Sequence, residues 1–307
     1  RKGKQRLNMQ MVGQLAALST ALCWTITSLS FEAAGRRVGS LQVNLIRLII
    51  AFLLFALYGA IVHGRALPLD AGSHVWIWLS LSGMVGFVIG DLFLFQAFVD
   101  AGARTAMLVY SSVPPMTAVL GRLILDERLT PAQVVAMVLT VAGIMTVTTA
   151  RAPRPVGDAI PYPRRIRGVW LAVVGALGQA GGLVLSRYGA PTYDAFGATQ
   201  IRTLAGIGGF VVLFVITHRW ARVRAALRDR TALRHIGRGA FFGPFLGVSL
   251  GLVAAQRAGT GVAATIIATV PVLLIPVAIV YFKERVTLRE IVGSVIAVAG
   301  VGLLFLA

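Results

Sequence analysis

The sequence has little charge, and most of that charge is of one sign. Only 13% of its 307 residues are charged, with 11 Asp and Glu against 29 Lys and Arg. A soluble domain carries about 25% charged residues. Hydrophobic residues make up 57% of the chain, and its mean hydropathy is +0.82. This composition excludes a disordered chain, a coiled coil and an ordinary soluble enzyme, and it predicts an integral membrane protein.

Cysteine and histidine are scarce as well. The one cysteine, Cys23, excludes an internal disulfide and a cysteine-based metal cluster. The four histidines are scattered singly at predicted helix ends and in loops, and the sequence contains no nucleotide-binding loop. We therefore predict no catalytic residue, no metal site and no cofactor, and we do not expect ATP as a direct energy source.

The net charge of +18 raises the question of a nucleic-acid partner. The basic residues, however, lie in short loops between apolar runs, with no soluble domain large enough to read a nucleic acid. Attraction to the anionic head groups of a lipid bilayer accounts for them better. We predict the bilayer as a partner and exclude nucleic acid.

Apolar runs follow one another along the whole chain, separated by charged or Gly/Pro-rich breaks. Each run is close to the roughly 20 residues that a membrane-spanning helix needs. The fold class predicted is an all-α integral membrane protein with ten transmembrane helices. The runs cover about 11–34, 42–62, 74–99, 102–125, 131–149, 168–188, 195–217, 239–257, 260–282 and 288–306.

The two halves of the chain are related in sequence. At an offset of 157 residues, 101–150 and 258–307 share Ala-Gly, Val-Pro, Glu-Arg-x-Thr and Val-Ala-Gly. Five spans per half is an odd number, so the second copy enters the membrane from the opposite side, as in the inverted repeats of many secondary transporters. We predict a first repeat over 11–149, a basic Pro/Arg-rich linker over 150–167 and a second repeat over 168–307.

Two matching motifs predict tight helical hairpins at the membrane surface. Glu127 and Thr130 belong to Glu-Arg-x-Thr in the first half, and Glu284 and Thr287 to the same motif in the second. In each case the Thr and a Gln or Glu three residues later form a capping-box pattern, which satisfies free backbone donors at a helix start. We predict a structural role for these residues rather than a catalytic one.

Pro114 and Pro271 occupy equivalent positions within the fourth and ninth predicted spans. A proline removes the hydrogen bond to the carbonyl four residues earlier, and a freed carbonyl in a membrane needs another partner or a wet cavity. Symmetric kinks at these positions suit a gate or a binding site. Prolines also occur in spanning helices for packing reasons, and the sequence leaves both interpretations open.

Small residues recur at every fourth position in several spans, which allows close helix contact or the approach of a substrate to bare backbone. Stripes on the last helix of each half, Ala136 with Thr140 and Gly293 with Ala297, could support a dimer, so we expect a monomer or a weak homodimer. The stripes in the third and eighth spans are Ser82, Gly86, Gly90, Gly239, Gly243, Gly247 and Gly251.

Ionisable residues within the spans are few, and each is costly enough to be a functional candidate. Asp91 in the third span could bind a substrate amine, carry a proton or bond a neighbouring helix. Glu32 and Arg47 flank the first turn evenly, so a hairpin would let them pair. Arg187 and Arg202 flank the matching turn and could attract a carboxylate. We favour interfacial snorkelling as the interpretation of these long side chains.

A set of polar and aromatic residues within the spans forms the predicted substrate site. Each of them has packing within the bundle as its alternative role. They are Trp24, Asp91, Gln96, Tyr110, Gln179 and Ser249.

These residues resemble the EamA family of the drug/metabolite transporter superfamily over nearly the whole chain. The family's repeat has a Trp in its first helix, an Arg early in its second and a Glu-(Lys/Arg)-x-Thr turn between its fourth and fifth. The second half has Gln179 in place of the Trp, and Glu32 and Arg187 stand where the family often has Lys. The matching residues are Trp24, Arg47, Glu127, Arg128, Thr130, Arg202, Glu284, Arg285 and Thr287.

The orientation in the membrane is a point of conflict. Ten spans place both termini on one side, whose loops and ends hold 9 Lys and Arg against 18 on the opposite side. The positive-inside rule then predicts both termini outside. The resemblance implies both termini inside, and we retain that orientation.

The resemblance implies a ten-helix transporter of small metabolites, commonly an exporter of amino acids, in which the helices that carry the predicted site border the cavity. We therefore predict a secondary transporter of the bacterial inner membrane that works by alternating access, with amino acids as substrates. The alternatives are export of another metabolite or drug, and a polytopic membrane enzyme or scaffold without transport. We do not expect an enzyme, because the sequence offers no convergent His/Asp/Ser set.

Overall fold

The computed structural model describes residues 2–101, 109–150, 162–270, 272–273, 276 and 287–306. Throughout these residues the regular structure is helical, with two π-helical segments, Met84–Gly90 and Phe241–Gly247. The α-helices are α1 (Lys2–Val38), α2 (Ser40–His63), α3 (Ser73–Gly83), α4 (Asp91–Ala101), α5 (Val113–Leu125), α6 (Pro131–Ala150), α7 (Tyr162–Gly189), α8 (Ala195–Thr217), α9 (Trp220–Ala226), α10 (Arg230–Ala240), α11 (Val248–Ala258), α12 (Thr260–Ile267) and α13 (Leu288–Leu306).

Within the described residues, eight helical stretches are long and apolar enough to cross a membrane. The predicted spans 102–125 and 260–282 each include residues outside the described set, and Val113–Leu125 is apolar but shorter than the others. The eight stretches are Met9–Gly35, Ser40–His63, Ser73–Leu94, Pro131–Thr149, Ile166–Gly189, Ala195–Thr217, Arg230–Ala258 and Leu288–Leu306.

Single glycines form two of the sharpest turns. Gly39 alone separates α1 from α2, and Gly259 alone separates α11 from α12. Their φ angles are 87° and 89°, in a region where a side chain would clash with the backbone and only glycine is at ease. Each glycine therefore joins two helices without a linker.

The two π-helical segments occupy equivalent places in the two repeats. Met84–Gly90 joins α3 to α4 in the third span, and Phe241–Gly247 joins α10 to α11 in the eighth. Their starts lie 157 residues apart, the offset that relates the two halves in sequence. Such widened turns are rare and are found frequently at functional sites. The duplication therefore includes a local distortion of the helix.

The third and eighth spans each pack against the opposite repeat. The third span lies along α7, and the eighth lies along α1. A Cβ added to Gly178 of α7 would come within 2.7 Å of the Gly90 Cα, and one added to Gly243 within 2.7 Å of the Thr27 Cγ2. The small residues of these spans thus allow helices of different repeats to touch closely.

The small-residue stripes of α6 and α13 face each other within the chain. A Cβ added to Gly293 would lie 2.8 Å from the Gly143 carbonyl oxygen, and one added to Gly300 would lie 2.7 Å from the Thr140 nitrogen. Because these stripes are filled by their intramolecular partners, they are not free to support a dimer in the way that the sequence suggested.

Candidate functional site

A buried ion pair lies at the centre of the candidate site. The Arg47 guanidinium of α2 donates a hydrogen bond to the Asp91 carboxylate at the start of α4, and only 3% and 8% of the two residues are exposed. Gln179 of α7 donates from Nε2 to Asp91 Oδ1 at 2.8 Å and to the Gly86 carbonyl at 3.2 Å. Asp91 therefore joins α2 and the third span to a helix of the second repeat.

A second arginine lies near this pair. Arg202 of α8 is 5% exposed, and its guanidinium carbon is 4.9 Å from the centroid of the Phe87 ring. It interacts electrostatically with Asp91, and its Nε has no hydrogen-bond partner among the residues that the structure describes. Arg47 also lies over a ring, 5.2 Å from the centroid of Phe31. Both cations are therefore stabilised in part by aromatic faces.

Several buried polar atoms near and beyond this pair lack hydrogen-bond partners among the described residues. Three of them are nitrogens that can only donate, namely Asn44 Nδ2, Arg47 Nε and Arg202 Nε, and a fourth is the Ser249 hydroxyl. A buried donor without an acceptor costs about 1–3 kcal/mol. Near the pair, the described residues thus include buried donors without acceptors beside two arginines and one carboxylate.

The structure brings together three of the predicted site residues. Asp91 and Gln179 are hydrogen-bonded, and Tyr110 interacts electrostatically with Asp91. Trp24 lies against the second π-helical segment, with its Nε1 3.6 Å from the place where a Cβ on Gly247 would be. Ser249, two residues later, is fully buried.

Gln96 lies apart from this cluster. It is exposed, and its Nε2 donates to Asp100 Oδ1 at 3.1 Å. Asp100 is in turn bonded by Arg164, whose Nε lies 3.2 Å from Oδ1. The predicted contact at Gln96 therefore falls in a separate polar group that joins the end of α4 to the start of α7.

The interpretation of the arginines as snorkelling side chains is wrong for Arg47 and Arg202, because both are buried. Arg47 pairs with Asp91, and the side chain of Glu32, its predicted partner, lies outside the described set. Arg187 lies elsewhere and donates to the carbonyls of Ala255 and Pro191, each at 3.1 Å. One feature of the sequence did point to these two buried arginines: they occupy equivalent positions in the two repeats, 155 residues apart.

The predicted hairpin residues form the caps that their spacing implies. Thr130 and Gln133 exchange hydrogen bonds of 3.0 and 3.2 Å, and Thr287 and Glu290 do so at 2.8 and 3.3 Å. The hairpin residue Glu284 lies outside the described residues. A capping box therefore begins the last helix of each repeat.

Glu127 has a further role that its spacing did not reveal. Its Oε2 accepts hydrogen bonds from the Thr260 backbone N–H at 2.8 Å and from the Thr260 hydroxyl at 2.7 Å. The carboxylate thus caps α12 of the second repeat. A cleft of about 350 Å³ adjoins this contact, lined by Ile124, Leu125, Glu127, Arg187, Tyr188 and Pro191.

Pro114 and Pro271 are the two prolines predicted to kink their spans. Pro114 is at the start of α5, directly after a turn at Ser111 and Ser112. The turn interrupts the helix at this point, so Pro114 does not bend one long helix. Pro271 lies outside the described residues. The interruption lies close in sequence to Tyr110, beside the Asp91 cluster.

A small cavity of about 60 Å³ lies at the membrane face, between the loops that follow α2 and α7. Tyr193 lines it and donates to Asp70 at 3.1 Å. Burial, and then the hydrogen bond to Asp70, raise the pKa of Tyr193 to about 12, so this hydroxyl remains a donor. The volume of this cavity is well below the roughly 300 Å³ of typical small-molecule sites. We therefore interpret the region as a place where the two loops contact each other.

The chain matches the model of the EamA-like transporter family over residues 11–149 and again over 166–306. It belongs to the EamA-like transporter family. This finding confirms the resemblance drawn from the repeated Arg and Glu-Arg-x-Thr motifs. The protein is therefore an integral membrane protein of a transporter family.

The chain is also similar to curated proteins and to a solved structure. Threonine/homoserine exporter RhtA of Escherichia coli (strain K12) is 29% identical over 148 residues, 47% of each chain. Its counterpart in Salmonella typhimurium (strain SL1344) is 27% identical over 159 residues, 50% of this chain and 51% of that one. The match spans about half the length of these relatives. A crystal structure of a protein 18% identical shares the fold, with a TM-score of 0.75 over 96% of both chains.

Proposed function

We propose that this EamA-like transporter exports small amino acids, threonine and homoserine among them, across a bacterial inner membrane by alternating access. The observation that carries the proposal is the buried Arg47–Asp91–Gln179 cluster, which joins the two repeats within the membrane. Ionisable groups inside a membrane are costly and mark the paths of substrates and ions. The names of the matched relatives support amino acids as the substrate class.

The predicted contacts fit this proposal to different degrees. Asp91, Tyr110 and Gln179 meet in one cluster, while Trp24 and Ser249 adjoin the equivalent π-helical segment of the second repeat. We propose these five as the residues that line the substrate path. Gln96 is left out because it is exposed and bound to Asp100.

Alternating access requires contacts between the repeats that can break and re-form. In inverted repeats this motion is largely a rocking of one repeat against the other around a fixed site. The hydrogen bonds that Thr260 donates to Glu127 and that Gln179 donates to Asp91 both run between the repeats. We propose that the first closes the path at the membrane face, and that the second lies at the site itself.

Counterflow in proteoliposomes tests the proposal. Purified protein is reconstituted into liposomes that are loaded with unlabelled threonine or homoserine, and labelled tracer is added outside. Protein-free liposomes are the control. We expect tracer to accumulate in a protein-dependent way. Accumulation of another metabolite but of neither amino acid would overturn the substrate class. If folded protein accumulated no solute from a panel of metabolites, transport itself would be overturned and a scaffold or membrane enzyme would take its place.

The direction of transport has its own test. Cells that express the protein are preloaded with labelled threonine, and its release is followed with and without expression. We expect faster release from the expressing cells. Faster uptake with unchanged release would contradict export.

A further inference from the structure

The two repeats place an arginine at the same position but surround it differently. Arg47 of α2 and Arg202 of α8 are separated by the 155-residue offset that relates the front parts of the repeats. Arg47 donates to Asp91, whereas Arg202 lies over the Phe87 ring and forms no ion pair with a described residue. The two arginines occupy equivalent positions in the duplicated repeats, but their interaction partners differ.

The cause is one residue in each repeat. Asp91 directly follows the first π-helical segment, and Val248 directly follows the second, at the offset of 157. Val248 packs against the apolar cluster that contains Phe87, and Phe87 is the ring that Arg202 covers. Where the first repeat supplies a carboxylate for its arginine, the second supplies a valine.

The described part of this region therefore contains two buried cations and one buried anion. Among the described residues, the Nε atoms of Arg47 and Arg202 have no acceptor, and neither does Asn44 Nδ2, one helical turn before Arg47. An uncompensated charge is costly inside a membrane. A ligand that reduces this cost supplies one negative charge and several acceptor oxygens.

A carboxylate is the group that meets these requirements. Its two oxygens match the planar fork of a guanidinium, which binds them in two parallel hydrogen bonds. A single carboxylate neutralises a surplus of one positive charge, whereas a phosphate dianion would exceed it. A purely cationic ligand would add a third positive charge next to Arg202.

We infer that Arg202 binds the carboxylate of the transported substrate, and that Arg47, Asp91 and Gln179 form the fixed half of the site. The inference rests on the proposed function, since it names the group by which that site selects its substrate. It also defines the substrate class more broadly than amino acids: the carboxylate is required, and the rest of the molecule is not.

The test compares ligands that differ only in the carboxylate. Purified protein is given threonine, threonine amide and threoninol, together with the monocarboxylates acetate and lactate. Binding is read as the ligand-induced shift in the thermal unfolding midpoint, and transport as inhibition of threonine counterflow. For the unmodified protein we expect threonine to act at concentrations at least about tenfold lower than its amide, since a hydrogen bond to a charged group contributes about 1.5–3 kcal/mol.

Substitutions at Arg202 assign the preference to its guanidinium. In Arg202→Gln we expect the threonine-to-amide ratio to fall to about one, because the charge that distinguishes them is gone. Arg202→Lys retains the charge without the fork, so we expect a reduced preference to remain. Gel filtration and unfolding midpoints establish that each variant is folded.

A second variant tests the inference without altering Arg202. Val248→Asp gives the second repeat the carboxylate that the first one has, and this internal anion would compete with the substrate for Arg202. We expect threonine binding to weaken by about tenfold or more. Val248→Asn, of the same size but without charge, is the matched control and should leave the threonine-to-amide ratio unchanged.

Each outcome decides the inference. A preference for the carboxylate that survives in both Arg202→Gln and Val248→Asp overturns it, as does an unmodified protein that does not distinguish threonine from its amide when both bind. If threonine neither binds nor moves, the proposed amino-acid function fails. The inference then stands if acetate or lactate shifts the unfolding midpoint in an Arg202-dependent way, and it falls if neither does.

Discussion

The third and eighth spans are copies of one helix, yet they have come to serve different purposes. Both contain a π-helical segment at the same place, and both lie against a helix of the opposite repeat. The residue after the segment is Asp91 in one and Val248 in the other. The first copy holds an ion pair and an amide, while the second packs against aromatic rings.

This difference shows how a duplicated pair of repeats can form an asymmetric binding site. If both copies had kept an acid, each arginine would be satisfied within its own repeat and the interior would contain no surplus charge. If neither had, two cations would be buried without compensation, at a cost of several kcal/mol each. Among the described residues one acid faces two arginines, and we infer that this arrangement can still gain from an anion.

The largest effect is expected from removing that one acid. In Asp91→Val both arginines lose their counter-ion, and breaking a buried pair by deleting one partner typically costs about 3–5 kcal/mol. We expect loss of counterflow and a large drop in the thermal unfolding midpoint in detergent. Asp91→Asn, which keeps the hydrogen bond to Gln179 possible, should lose transport with a smaller drop.

The same comparison supplies a rescue. Combining Asp91→Val with Val248→Asp moves the carboxylate to the equivalent position, where Arg202 takes the part of Arg47. We expect the double variant to regain a substantial share of the unfolding midpoint that Asp91→Val loses. A double variant no more stable than Asp91→Val alone would show that the two positions are not equivalent in space.

The sequence predicts the frame of this site better than its contacts. Apolar runs and the offset between halves identify the spans and the repeats, because burial in lipid and duplication leave marks that are local in sequence. The bond between Arg47 and Asp91 joins residues 44 positions apart. It depends on how α2 packs against the third span, which no periodicity records.

The π-helical segments were missed for a related reason. Their glycines form the small-residue stripes of the sequence analysis, and the second segment also contains Pro244. Those signals favour close packing as much as a change of helix type. The sequence also identifies Arg202 as an ionisable residue within a span. Its burial depends on Phe87 of the other repeat, which lies beside it only in the folded structure.

The contact between Glu127 and Thr260 is expected to have the next largest effect. Glu127→Ala removes an acceptor that serves both the N–H and the hydroxyl of Thr260, and hydrogen bonds to a charged group are worth about 1.5–3 kcal/mol. We expect a lower unfolding midpoint and increased labelling of cysteines introduced into the adjoining cleft.

A matched control for this change is Asp126→Asn, which removes the charge that pairs with Arg122 from a side chain that is 80% exposed. Asparagine tolerates the left-handed φ of 55° at this position, where alanine would be strained. Exposed pairs contribute about 0–1 kcal/mol, so this variant should leave both measurements nearly unchanged. Equal effects of the two substitutions would mean that Glu127 is an ordinary surface charge rather than a contact between repeats.

Alanine at one glycine of each interface compares how tightly the third and eighth spans pack against the opposite repeat. A Cβ at Gly178 would meet the Gly90 backbone, whereas one at Gly243 would meet the side chain of Thr27, which has more freedom to move. Overpacking typically costs about 1–3 kcal/mol. We expect Gly178→Ala to lower the unfolding midpoint more than Gly243→Ala, and the reverse order would place the tighter contact in the eighth span.

The smallest effect concerns the helices that carry the two arginines. Asp194 accepts a hydrogen bond from the Gly197 N–H at 2.7 Å and so caps α8, while the equivalent Gly39 offers α2 no side-chain cap. Replacing such a cap by alanine costs about 0.5–2 kcal/mol. In Asp194→Ala we expect a modest decrease in the free energy of unfolding with counterflow retained, and Asp194→Asn should behave as the unmodified protein. An alanine variant of unchanged stability would mean that α8, like α2, is held by its packing alone.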